Sequence, residues 1–545
     1  MRSADASQTT VSPPPPGPRK RPSTFKNVAT SWVWQLIVLI SGFILPRQID
    51  EHLGPELLGV WDFGWSWVFY VRNLHMGISA SVNRYTARHR ALQEWTALND
   101  TLNTSIWLMT GMALVGCCLA AGFALATPFF LPKQPAAIIA QAQWVVFILG
   151  VSSAQQLIGS VFDAGLAGFE RWDLLNWLRG ARDTFLIVAI IALLYAGFGL
   201  VATSLVVLVG HILCDASLFL VLRRLFPQLH LSVWRIHRRG CAELILFGGK
   251  TVVREVLRGA VYQVNAVYVS SWLGLGALAV FSRQRTLLTH LITFIKQYAH
   301  VFVPASSALH AASDKDALRN LLIRSSQYGF YVSLPPIIVL LFAGGDVIDL
   351  WMGPGYRNDI VLAVLTLCHL PLISQLSVYA VLVGMDRHGR AAVYEFFGAI
   401  ASIALGYVLV GVAGYGLIGA SVAIGAPLLV VGGVILPLDA CRTLGLSPLR
   451  YAAATMPKPL LLNAPFAAVL LAAEFTWPNH PLLSLLVGGS LGGVLLGSLY
   501  WRFVAPDSLR SQIRGRATRL LGARSLSSTA TSTSATEPFN QQAAP

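Results

Sequence analysis

The chain has 545 residues, of which 55% are hydrophobic and only 12% are Asp, Glu, Lys or Arg. A soluble chain of this length carries about a quarter charged residues. Here charge is half of that and the apolar residues lie in long unbroken runs, which excludes a soluble multidomain protein and indicates an integral membrane protein.

In chain order, residues 1–24 hold "PPPPGPRKRPS", proline-rich, basic and aperiodic, and read as a disordered cytoplasmic tail. The first apolar run starts near Val28 and leads into a second, so it is expected to be a retained helix rather than a cleaved signal. A bilayer takes roughly 20 apolar residues per helix. On that ruler fourteen spans are expected, at 28–47, 58–82, 104–126, 136–160, 183–198, 200–222, 246–271, 275–303, 328–350, 358–384, 392–412, 415–437, 459–475 and 481–501. The chain then divides into the tail, an N-terminal six-helix lobe (25–225), a cytoplasmic linker (226–245), a second six-helix lobe (246–440), helices 13 and 14 (441–503), and a cytoplasmic tail that is basic and then Ser/Thr-rich (504–545).

With the N-terminus inside, 30 of the 40 Lys and Arg fall in cytoplasmic loops and tails. Three (Arg47, Lys133, Arg357) fall outside and seven lie within spans. This positive-inside bias supports an even helix count with both termini cytoplasmic, and it accounts for most of the formal charge of +15 without nucleic acid. The six cysteines form no CxxC pair and have no histidines at zinc-finger spacing, so no metal is indicated and no cofactor is expected.

The run "VWDFGWSWVFY" (60–70) places aromatics along the outer part of helix 2. Either an interfacial belt or stacking on sugar rings would account for it. Further on, "FGGKTVVREVLRG" (247–259) ends its first half like a phosphate loop, but Leu244 stands where the Walker A pattern needs glycine. Instead Lys250, Arg254 and Arg258 share one helix face that climbs about 12 Å into the membrane. Arg72, Arg283, Arg285 and Lys296 are the other cations within spans, against three acids, Asp62, Asp215 and Glu255. A buried Arg costs about 3 kcal/mol on insertion scales. An interior of about +4 therefore predicts a wet, cationic cavity for an anionic ligand, and Arg suits phosphate because its planar fork donates two bonds at once.

Three landmarks recur. "LGPELLGVW" (53–61) matches "LGLGALAVF" (273–281), "GFER" (168–171) matches "GMDR" (384–387), and "AGFGLVATS" (196–204) matches "AGYGLIGAS" (413–421). The repeat spans six helices, an even number, so its two copies run parallel. The expected fold class is an all-α membrane protein of about fourteen transmembrane helices, with two parallel six-helix lobes around a central cavity and two extra C-terminal helices. The Gly-x-acid-Arg elements are expected to end one helix and start the next.

The helix 1 start "FKNVATSWVWQLIVLISGFILPRQIDEHLGPELLGVW", with "GISASVNRYTARHR", "GFERWDLLN" and "DLWMGPGY", resembles the polysaccharide-transport (Wzx-type) flippases of the multidrug/oligosaccharidyl-lipid/polysaccharide superfamily. The resemblance covers roughly 25–500 and implies alternating-access movement of undecaprenyl-diphosphate-linked oligosaccharide between leaflets of the inner membrane. It assigns no catalysis and implies diphosphate contacts for Arg72, Arg254, Arg258, Arg283 and Arg285, with Lys250 guiding entry. The implied partners are the lipid-linked oligosaccharide, membrane lipids, and a polymerase and glycosyltransferases of the same pathway. Family members often carry an acid in helix 7 where this chain has Asn265, which leaves coupling to an ion gradient open. A multidrug/cation antiporter needs embedded acids and usually twelve helices, and a lipid II flippase differs mainly in the sugar. A membrane-embedded glycosyltransferase needs a large outer loop that the spans do not leave.

Overall fold

The computed structural model describes residues 24–75, 77–231, 259, 261–508 and 510–512, and every element among them is helical. The first half comprises α1 (Thr24–Leu53), α2 (Pro55–Arg72), α3 (Ile78–Ala91), α4 (Trp95–Phe130), α5 (Ala136–Gly168), α6 (Trp172–Tyr195) and α7 (Leu200–Leu225). In the second half, helical residues 261–268 run into a π-turn, Val269–Leu273, followed by α8 (Leu275–His300), α9 (Phe302–Ala311), α10 (Lys315–Phe342), α11 (Gly344–Met352), α12 (Asp359–Ser374), α13 (Leu376–Gly384) and α14 (His388–Gly406). The chain then continues through α15 (Gly416–Leu428), α16 (Leu436–Leu444), α17 (Pro448–Thr455), α18 (Pro457–Thr476) and α19 (Pro481–Phe503).

Ten helical stretches among the described residues are long and apolar enough to cross a membrane. The expected spans 2, 5, 7 and 8 are not among these ten. Span 7 is described only from residue 259. The other three correspond to α2, α6 and α8, which carry Asp62 and Arg72, Arg179, Arg182 and Asp183, and Arg283, Arg285 and Lys296. Length and composition by themselves thus mark ten crossings among the described residues. Two expected boundaries also change. The single span at 58–82 breaks after Arg72 into a 3-10 turn, and Gly77 (φ 68°) turns the chain into α3, a helix carrying Arg84, Arg88 and Arg90. The span expected at 183–198 begins eleven residues earlier, at Trp172.

The internal repeat has a backbone signature. Gly54 and Gly274 enter α2 and α8 with φ 85° and 99°, a region that side chains rarely tolerate. Glu170 and Asp386, the acids of the two Gly-x-acid-Arg elements, both occupy the left-handed region at φ 60° and 57°, as do Gln93 and Ser313 at 59° and 56°. Around the acids the hydrogen bonds match too. Arg171 N–H donates to Leu166 C=O at 3.0 Å, and Arg387 N–H to Leu382 C=O at 2.9 Å. Each is a Schellman closure of the preceding helix with the acid as its left-handed residue. Gly168 and Gly384 end α5 and α13, as expected, because a neighbour presses on them. A Cβ on Gly168 would lie 2.6 Å from Thr86 Cβ, and one on Gly384 would overlap Ser306 Oγ.

In the first half α5 is central, packing on α2, α4 and α7, while α1 lies along α6. In the second half α10 packs on α12, α12 on α15 and α15 on α14, and the α18–α19 hairpin leans on α10. The halves meet chiefly where α2 crosses α8, at Gly59, whose missing side chain admits the Leu275 carbonyl.

At one end of the cleft between the halves, α1 is tied to the α11 region. Arg47 Nη1 donates to the carbonyls of Leu350 and Trp351 at 3.1 Å each, Trp351 Nε1 donates to Phe43 C=O at 2.6 Å, and the Tyr356 hydroxyl donates to Asp50. Gln284 Nε2 of α8 donates to the Tyr356 carbonyl at 2.7 Å. Arg357 is itself fixed by Asp346, Asp349 and Asp359 at 2.8–2.9 Å. These contacts all lie at the end opposite the basic helix α3, and they close that end of the cleft.

Candidate functional site: a charged cleft lined by α1, α2, α5, α6 and α8

One face of α2 carries Trp61, Asp62, Trp65, Val68 and Arg72, the spacing that keeps side chains on one side of a helix. All five line a cavity of ≈ 560 Å³ together with Trp34 and Ser41 of α1, Arg182, Asp183 and Leu186 of α6, and Arg283 and His290 of α8. A second volume, ≈ 710 Å³, adjoins it toward α3 and is lined by His75, Asn83, Ser160, Asp163, Trp172, Arg179 and Asp215 among others. Trp34, Arg72, Ser153, Gln156 and Arg182 border both, so the two form one cleft running along α2 and α6.

The ions in it are mostly paired. Arg283, 3% exposed, donates through Nη2 to both oxygens of Asp62 at 2.6 and 2.7 Å, and its guanidinium lies 5.8 Å from the Trp351 ring centre. Arg179 donates to Asp163 at 2.8 Å and covers the Trp34 ring at 5.0 Å. Asp183 accepts from Arg182 Nε at 2.8 Å and from Trp34 Nε1 at 2.9 Å. Gln155 donates to Asp215 at 2.7 Å. Among the described residues nothing pairs with the guanidinium of Arg72, which is exposed in the cleft on the border of both volumes.

The six expected ligand residues separate. Arg72 and Arg283 come together in the cleft. Arg285 does not join them there, because two residues along a helix turn the side chain about 200°; its Nη1 donates to the Tyr262 carbonyl at 3.0 Å, on the side of the second half. Lys250, Arg254 and Arg258, with Glu255, lie outside the described residues. Lys296 sits half-buried farther along α8. Asn265 is fully buried, donating to Val261 C=O at 2.8 Å and to Ser402 Oγ at 3.2 Å, away from the cleft.

Hydropathy reasoning missed Arg179, Arg182, Asp183 and Asp163. It counted Arg179, Arg182 and Asp163 as loop residues and left Asp183, the first residue of span 5, out of the embedded acids, whereas α5 and α6 carry all four along the cleft wall. The cleft lining described here therefore balances four arginines (Arg72, Arg179, Arg182, Arg283) with four aspartates (Asp62, Asp163, Asp183, Asp215). The expected excess of about +4 also counted Lys250, Arg254, Arg258 and Glu255, which lie outside the described residues. The signal available in the sequence was the i, i+3, i+4 spacing of 179, 182 and 183. The aromatic run is likewise no belt at the lipid surface. Trp61 and Trp67 are 7% and 9% exposed, with Trp61 and Trp65 on the cleft and Trp67 turned to Phe123 and Phe130 of α4.

Residues 92–360 match the polysaccharide biosynthesis protein family. A Shigella flexneri protein described as an O-antigen transporter is 20% identical over 335 residues, 60% of this chain and 77% of its own. Over about half of its length the chain is thus similar to polysaccharide biosynthesis and transport proteins. Its fold is shared with an inward-facing multidrug resistance MATE transporter of the MOP superfamily, at TM-score 0.66 and 13% identity, covering 77% of this chain and 98% of that one. The lipid II flippase MurJ in an inward closed conformation superposes at TM-score 0.65 and 12% identity, covering 88% and 100%. The shared fold accounts for the multi-pass architecture and the cleft between two related halves, and the proteins that share it or match in sequence are described as transporters and a flippase, not as enzymes.

Proposed function

We propose that this flippase carries an undecaprenyl-diphosphate-linked oligosaccharide from the cytoplasmic to the outer leaflet by alternating access, with both termini cytoplasmic. The ties of Arg47, Trp351 and Tyr356 across one end of the cleft fit a state closed to the outside. The observation that carries the reading is Arg72. Its guanidinium is solvent-reached, unpaired among the described residues, and lines the same volume as Arg179 and Arg182. A diphosphate offers several anionic oxygens to such forks, and charge-assisted bonds of this kind are about twice as strong as neutral ones. Arg283 contributes from the far wall, Arg254 and Arg258 keep the role expected from the sequence, and Lys250 guides entry. Arg285 lies outside this set and tethers α8 to the Tyr262 carbonyl.

The test is transport by the purified protein in proteoliposomes loaded with undecaprenyl-diphosphate-linked oligosaccharide. Externally accessible glycan is read with a membrane-impermeant lectin. Arg72→Ala is expected to lower the rate at least tenfold, with partial rescue by Arg72→Lys, which keeps the charge but not the fork. No transport by the wild type sinks the substrate assignment. Full activity of Arg72→Ala sinks the role of Arg72 alone.

A further inference from the structure

The phosphate-binding reading rests on the half of the cleft nearest α3, draws only Arg283 from the other half, and leaves the rest of that half unexplained. That deep end is lined by Trp61, Trp65, Asp62, Asp183, Arg283 and His290. It lies 11 residues along α2 from Arg72, or ~16 Å at the helical rise, which is more length than a diphosphate fills. We propose that it is a pyranose subsite, holding the sugars that immediately follow the diphosphate; this rests on the flippase reading above.

Three features carry the assignment. Trp61 and Trp65, one turn apart with ring centres 5.8 Å from each other, present indole surface to the cavity, where an interfacial belt would present it to lipid. A pyranose has an apolar C–H face that stacks on such a ring and a rim of hydroxyls that both donate and accept. The rim finds both kinds of partner here. Asp62 and Asp183 keep acceptor capacity beyond their arginines, since a carboxylate has about four lone-pair sites. Arg283 Nε and Nη1, on a side chain 3% exposed, and His290 Nε2 have no hydrogen-bond partner among the described residues. Buried donors left without partners are uncommon and mark places where a ligand completes the set. Third, the ions at this end are paired, Arg283 with Asp62 and Arg182 with Asp183, and the one arginine of the cavity left over, Arg72, stands at the border with the other volume. That favours a neutral polyol over an anion, which the other end serves, and over a lipophilic cation, which needs net negative charge. The volume of ≈ 560 Å³ is in the range of small-molecule sites.

The test is calorimetric titration of the full-length protein in nanodiscs with three kinds of probe. These are inorganic pyrophosphate, the 1-diphosphates of glucose, galactose, N-acetylglucosamine and N-acetylgalactosamine, and the matching methyl pyranosides. At least one sugar diphosphate is expected to bind on the order of tenfold tighter than pyrophosphate. Trp65→Ala and Trp61→Ala should erase that gap while leaving pyrophosphate affinity unchanged, and Trp61→Phe and Trp65→Tyr should keep it. Trp65 is half-buried, so its variants remain informative if Trp61→Ala does not fold. The proposal is overturned if no sugar diphosphate exceeds pyrophosphate, or if the gap survives both alanine variants. Loss of pyrophosphate binding in the wild type, with methyl pyranosides still bound in a Trp65-dependent way, overturns the phosphate reading and leaves the sugar subsite standing.

Discussion

At the scale of single residues, the pair Asp62–Arg283 is the most demanding feature of the cleft. Arg283 is almost fully buried and Asp62 is 13% exposed, so neither charge is well served by water. Removing one member of a buried pair leaves the other uncompensated, at a cost of about 3–5 kcal/mol. Asp62→Asn is accordingly expected to lower the thermal unfolding temperature of the detergent-solubilised protein sharply. The double variant Asp62→Leu/Arg283→Met should recover much of that loss, because a packed apolar pair has no desolvation debt. If the pair serves ligand binding as well, the double variant refolds without regaining transport. Unchanged stability of Asp62→Asn would show that the cleft keeps Arg283 solvated without its partner.

At the scale of elements, the two halves share a crossing in which a glycine-ended helix meets a short amphipathic one. α5 meets α3 at Gly168 and Thr86, and α13 meets α9 at Gly384 and Ser306, each pair offset as the sequence repeat is. Gly384→Ala would drive a methyl into Ser306 Oγ and to within 2.7 Å of the Val303 carbonyl. Overpacking of this kind costs about 1–3 kcal/mol. A measurable drop in unfolding temperature is expected, larger than for Gly389→Ala, where a Cβ would meet open space. Equal effects of the two would show that the crossing gives way freely. The helices too charged to read as apolar spans, α2, α6 and α8, all line the cleft, beside the apolar α1 and α5. Their charged residues are stable in a membrane protein because they face a wet cleft and each other rather than lipid.

At the scale of the whole molecule, the end held by Arg47, Trp351, Tyr356 and Gln284 works as a latch between the halves. Removing a hydrogen bond of about 1 kcal/mol shifts a two-state population about fivefold. In a background with the six cysteines replaced, Ser41→Cys places a thiol in the cleft. Adding Arg47→Ala and Tyr356→Phe is expected to raise its labelling by an impermeant maleimide, applied from the outer side, at least fivefold. Labelling that does not change would mean the latch contributes nothing to the closed state.

Much of this protein was legible in the sequence because the bilayer imposes one-dimensional rules. Apolar run length predicts spans, the Lys and Arg count predicts orientation, and three recurring motifs predict parallel halves, whose matching left-handed residues at Glu170 and Asp386 the tertiary structure then displays. Arg72 and Arg283 were identifiable as charges within apolar runs. The rest depended on which way side chains face. Hydropathy averages over a helix's circumference and treats every charge as a helix end, so it cut α6 short and placed Arg179 and Arg182 in a loop. It could not tell that Arg283 and Arg285 diverge, that four aspartates offset the cleft arginines, or that Trp61 and Trp65 turn inward. Those facts follow from packing between helices far apart in the chain, and only the tertiary structure, by bringing α2, α6 and α8 around one cavity, decides them.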